Sequence, residues 1–245
     1  MDILVFAAKD VGLNLTRFLL DTYPNDSYTF VVNNPGKDKL ISFLKSRNIN
    51  AFDVEDDAVD QLINSAKKYD WLLNLWGGYI FKDNLLSLAK KSLNIHPSYL
   101  PFGRGSDPVV WCIRNNWEAG ATLHGITNEI DGGPIWAQKS TPYTLPITGG
   151  NLYPKVVSDC EDLFITNWSN IRAGKLQPIP QKSGPAEHKR KQLLKDRIID
   201  LTPESKEWDT ITKLLAHDFS PEYTSQLKIG GKIYTARLIL EEIDP

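Results

Sequence analysis

The sequence is poor in the features that mark secreted, metal-binding and membrane proteins. Two cysteines occur in 245 residues, and Cys112 and Cys160 form neither a CxxC pair nor a metal-ligand spacing. Free thiols of this kind fit a reducing compartment. No apolar run approaches the ~20 residues of a membrane span. The charged pair Lys9-Asp10 ends the first apolar stretch too soon for that stretch to be the apolar core of a signal peptide. These absences predict a cytoplasmic protein without a membrane partner.

An excess of basic residues is also missing. The chain has 28 Lys and Arg against 30 Asp and Glu, with a net charge of −2. Proteins that bind phosphate backbones usually carry a basic excess, so this balance disfavours a nucleic-acid partner. The hydrophobic fraction of 41% and the charged fraction of 24% indicate a globular chain. Its length allows one large domain or one domain with a small appendage.

The glycine fingerprint of dinucleotide-binding turns is absent after the first predicted strand. Residues 7–12 read Ala-Ala-Lys-Asp-Val-Gly, with one glycine where G-x-G-x-x-G would stand, so NAD binding is disfavoured. Further along, apolar runs alternate with residues at helical spacing. This order is typical of an α/β fold with a Rossmann-like, mostly parallel sheet and helices on both faces.

The apolar pattern predicts the individual elements. Strands are expected at 2–8, 28–32, 71–75, 92–96, 121–127, 134–140 and 233–240. Helices are expected around 15–19, 40–44, 80–89, 106–116, 151–171 and 202–219, and through the spaced residues Val59, Leu62, Ile63 and Ala66. Gly230-Gly231 predicts a hairpin turn. The pattern loosens at 177–185, which predicts a surface linker, and we expect a catalytic domain at 1–175 and a small C-terminal region at 176–245.

A polar pair, Asn94 and His96, interrupts the apolar run at 92–96. Residues i and i+2 of a strand point to the same face, and Pro97 biases His96 toward an extended conformation. A buried core strand would carry Val or Leu here, so the pair indicates a site. Ligands of parallel sheets gather at such carboxyl ends, where Trp76-Gly-Gly-Tyr79 also follows a strand. Its glycines allow a flat ligand to approach the backbone.

A second polar element is the turn at 128–135, which reads Asn-Glu-Ile-Asp-Gly-Gly-Pro-Ile between two plausible strands. Its Asp131 supplies a carboxylate to accompany Asn94 and His96. An amide to hold an oxyanion, an imidazole base and a carboxylate that orients it are suited to acyl transfer. The three residues therefore predict an acyl-transfer site built from two distant loops.

Three spaced motifs carry a family resemblance: NIHPSYLPFGRG at 94–105, GATLH at 120–124 and DGGPIWAQ at 131–138. Together they resemble the core of the formyltetrahydrofolate-dependent formyltransferases. That family includes methionyl-tRNA formyltransferase, glycinamide ribonucleotide formyltransferase and the sugar N-formyltransferases. The resemblance is clearest from about residue 70 to about residue 170.

The resemblance implies roles for individual residues. Asn94, His96 and Asp131 match the catalytic triad of the family. Asn94 and His96 would donate to the formyl oxygen as an amine attacks, and Asp131 would steer the imidazole and accept from the amine. The co-substrate would be N10-formyltetrahydrofolate, bound by Trp76, Gly78, Tyr79, Ile80, Phe81, Asp131 and Gly132.

The expected acceptor is the amine of a dTDP-linked amino-dideoxysugar. The C-terminal region, with residues 217–223 and the Gly-Gly hairpin, resembles that of dTDP-sugar N-formyltransferases, in which it helps form a homodimer and reach the nucleotide sugar. dTDP-4-amino-4,6-dideoxyglucose is the first expectation and the 3-amino isomer the second, for the synthesis of O-antigen or another surface polysaccharide. Substrate contacts are expected from Arg104, Gly105, Tyr153 and Lys155.

Other interpretations stay open at this stage. The acceptor could be methionyl-tRNA or glycinamide ribonucleotide, the protein could hydrolyse formyltetrahydrofolate, or it could be a non-catalytic module that binds nucleotide sugar or folate. Arg104 could equally cap a turn. His124 is interpreted as a structural histidine and Cys160 as core. His188 and His217 are expected at the surface, and the basic run 188–191 on a solvated face.

Overall fold

The computed structural model of the chain describes residues 1–54, 57–65, 67–200 and 205–241. The chain forms two compact units, each assembled from three segments. The first unit contains Met1–His96, Thr122–Gln138 and Cys160–Gln181, and the second contains Pro97–Ala121, Lys139–Asp159 and Lys182–Pro245. Because the units alternate along the chain, neither coincides with 1–175 or 176–245. The roles expected of those two regions remain predictions.

Ten strands are present in the described part of the chain. They are β1 (Asp2–Ala7), β2 (Ser27–Val32), β3 (Ala51–Asp53), β4 (Tyr69–Leu75), β5 (Ala89–His96), β6 (Gly120–His124), β7 (Ile135–Ser140), β8 (Ile198–Asp200), β9 (Ser225–Ile229) and β10 (Lys232–Ala236). Seven strands form one sheet in the order β3-β2-β1-β4-β5-β6-β7. Strands β1 to β5 pair in parallel and β6 pairs antiparallel with β5, which confirms the mostly parallel α/β architecture.

The described helices are α1 (Lys9–Thr22), α2 (Lys37–Ser46), α3 (Ala58–Ser65), α4 (Asp83–Leu86), α5 (Pro108–Asn115), α6 (Gly149–Arg172), α7 (Arg190–Asp196) and α8 (Glu207–Ala216). None of these helices is long and apolar enough to cross a membrane. Among the described residues, no cluster of three or more His, Cys, Asp or Glu side chains has a geometry that would hold a metal ion.

The core of the first unit is built around β1, in which Ile3 to Ala7 are completely buried. A strand covered on both faces carries such a continuous apolar run. Trp168 of α6 packs edge-on against Trp71 of β4, with ring centroids 5.1 Å apart. Each large apolar side chain buried in this way contributes about 1.5–3 kcal/mol. Cys160 is also fully buried, so its interpretation as core is confirmed.

Several sequence-based element predictions need correction. Only Asp83–Leu86 is helical within 80–89, because the chain pairs with β4 from Ala89 onward. The expected strand at 233–240 ends at Ala236. Strands β3 and β8 have three residues each and are too short to give a pattern. The prediction for Ala66 lies outside the described residues, as does that for 202–204.

Helix α7 was missed because its first residues lie in the basic run that was interpreted as a solvated face. The oxygen Oε1 of Gln192 accepts from the backbone N–H of Lys189 at 2.6 Å and so satisfies one donor at the helix start. After α7, β8 pairs in parallel with β9, and β9 pairs antiparallel with β10 across Gly230-Gly231. The predicted hairpin is therefore confirmed, and it belongs to a three-stranded sheet.

Of two histidines expected at the surface, His188 is half-buried and His217 is fully buried in the second unit. His188 stacks on Trp111 with ring centroids 4.0 Å apart, and burial lowers the pKa of His188. His217 is completely buried, and its Nε2 lies 2.9 Å from Oδ2 of Asp196. Asp196 also accepts from Nε of Arg114 at 2.8 Å. Nothing in the local sequence marks these partners, because they lie far away along the chain.

The carboxylate of Asp196 is the centre of this buried network. Burial raises the pKa of Asp196, but hydrogen bonds from His217 and Arg114 outweigh burial and lower that pKa to about 2. The usual pKa of an aspartate in an unfolded chain is ~3.9. A pKa lowered by folding means that the ionised carboxylate stabilises the folded state at neutral pH. This stabilisation is lost as the pH falls from about 4 toward about 2.

We therefore expect Asp196→Asn to lower the free energy of unfolding at pH 7 by about 2 kcal/mol. The difference from the unsubstituted protein should narrow below about pH 4, as measured by denaturant unfolding at several pH values. The matched control is Asp200→Asn, which removes an exposed carboxylate. Oδ2 of Asp200 lies 3.6 Å from Nζ of Lys228, so this aspartate also has a cationic partner. The control should change stability by less than ~0.5 kcal/mol. Equal effects of the two substitutions would contradict a special role for Asp196.

Candidate active site

Three polar side chains stand at the same level of three neighbouring strands in the first unit. Asn94 of β5 is in register with Asn74 of β4 on one side and with His124 of β6 on the other. Side chains directly opposite each other on paired strands lie on the same face of a sheet. The row Asn74–Asn94–His124 therefore crosses the sheet one strand at a time.

A directed chain of hydrogen bonds runs along this row. Nδ2 of Asn74 donates to Oδ1 of Asn94 at 2.7 Å, and Nδ2 of Asn94 lies 2.9 Å from Nε2 of His124. Nδ1 of His124 lies 2.7 Å from the carbonyl oxygen of Gly125. Because a carbonyl only accepts, Nδ1 of His124 must carry a proton, and Nε2 is the acceptor in the neutral ring. The row thereby fixes both the amide of Asn94 and the tautomer of His124.

Asp131 joins this row from the acidic turn. Its Oδ2 lies 3.5 Å from Nδ1 of His96, and its Oδ1 lies 3.4 Å from Nδ2 of Asn94 and 3.5 Å from Nε2 of His124. The Asp131 side chain is 15% exposed and that of His96 is 7% exposed. The structure thus brings together the amide, the imidazole and the carboxylate that the sequence predicted, and it adds His124 as a fourth polar group.

Close packing of the backbone holds the acidic turn. A Cβ atom at Gly133 would overlap the carbonyl oxygen of Gly125, and a Cβ at Gly132 would lie 2.6 Å from the Glu129 side chain. Asp131 itself has φ +48°, a left-handed conformation that is uncommon outside glycine and asparagine. The two glycines therefore permit an approach that aims the Asp131 carboxylate at the row.

Gln181 is a site residue that sequence reasoning missed. It lies in the segment interpreted as a surface linker, but its Nε2 donates to the carbonyl oxygens of Asp131 and Gly133 at 2.9 and 3.1 Å. Ile179 forms an antiparallel backbone bridge with Ile135, which brings Gln181 to the turn. No pattern in the proline-rich segment signals this bridge, because it depends on a pairing across more than 40 residues.

The loop after β4 holds the side chains expected to contact the co-substrate. Trp76 is buried and has φ +67°, a strained conformation of the kind that occurs at ligand sites. The rings of Tyr79 and Phe81 pack on Phe6, with centroids 5.1 and 4.9 Å away, so they support the loop from the core. Ile80 is 72% exposed. The loop accordingly presents the side chain of Ile80 and backbone groups to its surroundings.

Gly78 gives this loop an open backbone. The residue is exposed, and nothing lies within 4 Å of the position that its Cβ would occupy. Gly77, by contrast, is crowded, since a Cβ there would lie 2.8 Å from Oδ1 of Asn74. The loop therefore combines a fixed side against β4 with a free side that a planar ligand can approach.

The four residues expected to contact substrate lie in the second unit. Nη2 of Arg104 lies 3.8 Å from Oε2 of Glu187, and Gly105 has φ +87° where it meets the backbone of His188. The ring of Tyr153 lies 6.2 Å from that of Phe219, and Lys155 is exposed. Their role in substrate binding remains a prediction.

Comparison with protein families identifies one match. The family model described as formyl transferase matches residues 33–166, which is more than half of the chain. A methionyl-tRNA formyltransferase from Roseiflexus sp. (strain RS-1) is 30% identical over 167 residues, which make up 67% of this chain and 51% of that protein. The chain spans about half or less of the length of the curated relatives it matches.

Solved structures share the fold over nearly the whole chain. A sugar N-formyltransferase from Shewanella sp. FDAARGOS_354 has a TM-score of 0.82 at 20% identity, with 100% of this chain and 99% of that chain covered. The N-formyltransferase from Helicobacter canadensis, solved with folinic acid and dTDP-3-aminofucose, has a TM-score of 0.75 at 22% identity, with 94% and 85% covered.

The matched region contains the whole polar cluster of the first unit. Residues 33–166 include Asn94, His96, His124 and Asp131, together with the loop after β4. The three sequence motifs and the seven-stranded sheet agree with this match. The chain therefore belongs to the formyl transferase family.

Proposed function

We propose that the protein transfers a formyl group from N10-formyltetrahydrofolate to the amine of a dTDP-linked amino-dideoxysugar. The observation that carries the proposal is the position of the Asp131 carboxylate, whose oxygens lie 3.4 Å from Nδ2 of Asn94 and 3.5 Å from Nδ1 of His96. The favoured acceptor is dTDP-4-amino-4,6-dideoxyglucose, with the 3-amino isomer second. The enzyme would act in the cytoplasm, and its product would serve the synthesis of O-antigen or another surface polysaccharide.

The residues of the cluster have distinct roles in this proposal. The amide of Asn94 and the imidazole of His96 donate hydrogen bonds where negative charge develops on the carbonyl oxygen. Asp131 orients the ring of His96 and accepts from the attacking amine, which must lose a proton. Gln181 holds the backbone of the turn, so the carboxylate does not have to be ordered when the acceptor arrives.

The loop after β4 suits the folate co-substrate, which supplies the formyl group when bound. A pterin is flat and has hydrogen-bonding groups along its edges, so a site for it needs accessible backbone and few protruding side chains. The open space at Gly78 and the buried side chains of Trp76 and Phe81 meet this requirement. Asp131 and Gly132 would line the site from the acidic turn. In the Helicobacter relative, the co-crystallised folate is folinic acid.

Two observations favour a nucleotide sugar over methionyl-tRNA. The net charge of −2 lacks the basic excess that phosphate-backbone binding needs. The relative from Helicobacter canadensis was solved with a dTDP-amino sugar. A nucleotide sugar is therefore the preferred acceptor class.

The proposal includes a homodimer formed through the hairpin β9–β10. Three large apolar side chains of this hairpin are exposed, with Ile229 at 52%, Ile233 at 62% and Tyr234 at 47%. The register places Ile229 and Tyr234 on one face of the ribbon and Ile233 on the other, so each face exposes a large apolar group, as interaction surfaces do. A second copy of the chain would bury them.

Substitution of the cluster tests its role in turnover. His96→Ala and Asn94→Ala are each expected to lower kcat about 10²–10³-fold, because each removes one donor to the developing charge. Steady-state formyl transfer should be measured together with thermal unfolding, so that lost folding is separated from lost chemistry. Asn14→Ala on the exposed face of α1 is the control for Asn94→Ala. Near-normal turnover of His96→Ala would refute the assignment.

A panel of acceptors tests the substrate class. The protein should be incubated with N10-formyltetrahydrofolate and, in separate reactions, the 4-amino and 3-amino dTDP-sugars, glycinamide ribonucleotide and initiator methionyl-tRNA. Mass spectrometry should detect a formamide only on the dTDP-sugars. Formylation of the tRNA but not the sugars would overturn the proposal, and release of formate without any acceptor would indicate a hydrolase. Folate binding without any product would indicate a binding module.

Sedimentation velocity tests the dimer. The unsubstituted chain is expected to sediment as a dimer, and Ile233→Glu is expected to shift it to the monomer, because a carboxylate in an apolar interface is strongly unfavourable. Ile165→Glu is the control, since Ile165 of α6 is also exposed, at 43%. A monomeric unsubstituted protein would contradict this part of the proposal.

A further inference from the structure

Asn74 is a buried amide inside an otherwise apolar strand. It is 4% exposed, and its neighbours along β4, Leu73 and Leu75, are completely buried. Its hydrogen bonds reach two separate places: Nδ2 donates to Oδ1 of Asn94 at 2.7 Å and to the carbonyl oxygen of Gly77 at 3.1 Å. Both partners are acceptors here, so the nitrogen of Asn74 must face them and its amide has one orientation.

The other polar atom of the Asn74 side chain, Oδ1, shows that this arrangement costs folding free energy. Its Oδ1 is buried and has no hydrogen-bond partner among the described residues. It faces Gly77, where a Cβ would approach it to 2.8 Å. An unpaired buried acceptor is unfavourable, and an apolar residue of similar size would avoid it. A cost of this kind next to a site calls for a functional reason.

The orientation of Asn74 determines the orientation of Asn94. With Oδ1 of Asn94 held by Asn74, Nδ2 of Asn94 must point to His124 and Asp131. In the reversed orientation, Oδ1 of Asn94 would face the Asp131 carboxylate and the acceptor nitrogen of His124, which are both electron-rich. The amide of Asn94 therefore presents its N–H groups on the side of His124 and Asp131.

We propose that Asn74 is a positioning residue, which fixes the amide of Asn94 as a donor and ties it to the loop after β4 through the carbonyl of Gly77. The functional consequence rests on the proposed formyl transfer, in which Asn94 donates to the developing charge. The hydrogen-bond row itself does not rest on it. The side chain of Asn74 would transmit a shift of the loop to Asn94, because it is hydrogen-bonded to both.

The most informative variant is Asn74→Asp, which keeps the size of the side chain. At neutral pH the new carboxylate can only accept, so the Asn94 amide must turn its Nδ2 toward it and its Oδ1 toward His124. We expect kcat to fall by about 10²-fold, as for loss of an oxyanion donor. Burial favours the neutral carboxyl, whose O–H can donate to Asn94. The activity ratio of variant to unsubstituted protein should therefore rise as the pH is lowered.

The pH series has to be compared as a ratio because other groups near Asn94 titrate. The titratable side chains facing Asn94 are His124 of β6, and His96 and Asp131 beside it. On the β1 side of Asn74 the paired residue is Phe6, which does not titrate. These groups are present in both proteins, so a common pH dependence cancels in the ratio.

Nitrogen-15 NMR of labelled histidine gives a readout that does not need activity. The chain has four histidines. In the unsubstituted protein, the His124 resonances should show a protonated Nδ1 and an unprotonated, accepting Nε2. In Asn74→Asp near neutral pH, the carbonyl of Asn94 faces Nε2, which should become protonated. A His124 spectrum that stays unchanged even at the alkaline pH that ionises the new carboxyl would overturn the proposal, because the amide would then not have turned.

Two further variants separate positioning from nonspecific damage. Ser225→Asp places the same charge at another completely buried polar position, on β9 of the separate three-stranded sheet. It should leave the His124 resonances unchanged and give an activity ratio that is flat with pH. Asn74→Leu removes both hydrogen bonds without adding charge, and should lower kcat with no recovery at low pH.

The outcomes distinguish this proposal from the proposed function. If Asn74→Asp and Ser225→Asp change the His124 spectrum or the pH dependence of the activity ratio alike, buried charge explains both results and the positioning role is wrong. If the His124 spectrum changes as expected but no acceptor is formylated by the unsubstituted protein, the positioning role stands and the proposed function fails.

Discussion

The hydrogen bond between the side-chain amides of Asn74 and Asn94 is the contact on which the rest of the site depends. It exists because two parallel strands place the residues in register, and it leaves the Asn94 amide a single orientation. That orientation determines which group faces His124 and Asp131. An amide free to turn would present donor and acceptor alternately and would stabilise developing negative charge only part of the time.

The opposite wall of the site is made by backbone rather than by a strand. The turn that carries Asp131 lies against Gly125 so closely that Gly133 has no room for a side chain. Gln181 then closes the turn from a third segment of the chain. The site thus combines a rigid row across a sheet with a tightly held loop. This arrangement is what preorganised electrostatic stabilisation requires, since the polar groups are in place before charge develops.

Much of the first unit could be predicted from the sequence, because its strands are continuous apolar runs and its helices carry regular apolar faces. Asn94 and His96 could be found because polar residues at the end of an apolar strand are conspicuous, and Asp131 because it lies in an acidic, glycine-rich turn. Asn74 could not, since one asparagine in an apolar strand carries no pattern and its meaning depends on the register between β4 and β5. Gln181, His188 and His217 were misjudged for a related reason: their partners are set by tertiary contacts, and nothing local marks them.

A crystal structure with a stable formylated folate and a dTDP-amino sugar tests the central claim most directly. The account predicts that the formyl oxygen lies within about 3 Å of Nδ2 of Asn94 and of an imidazole nitrogen of His96. It also predicts that the sugar amine lies on the side of the Asp131 carboxylate. A folate bound away from this cluster, or an acceptor amine out of reach of Asp131, would contradict it.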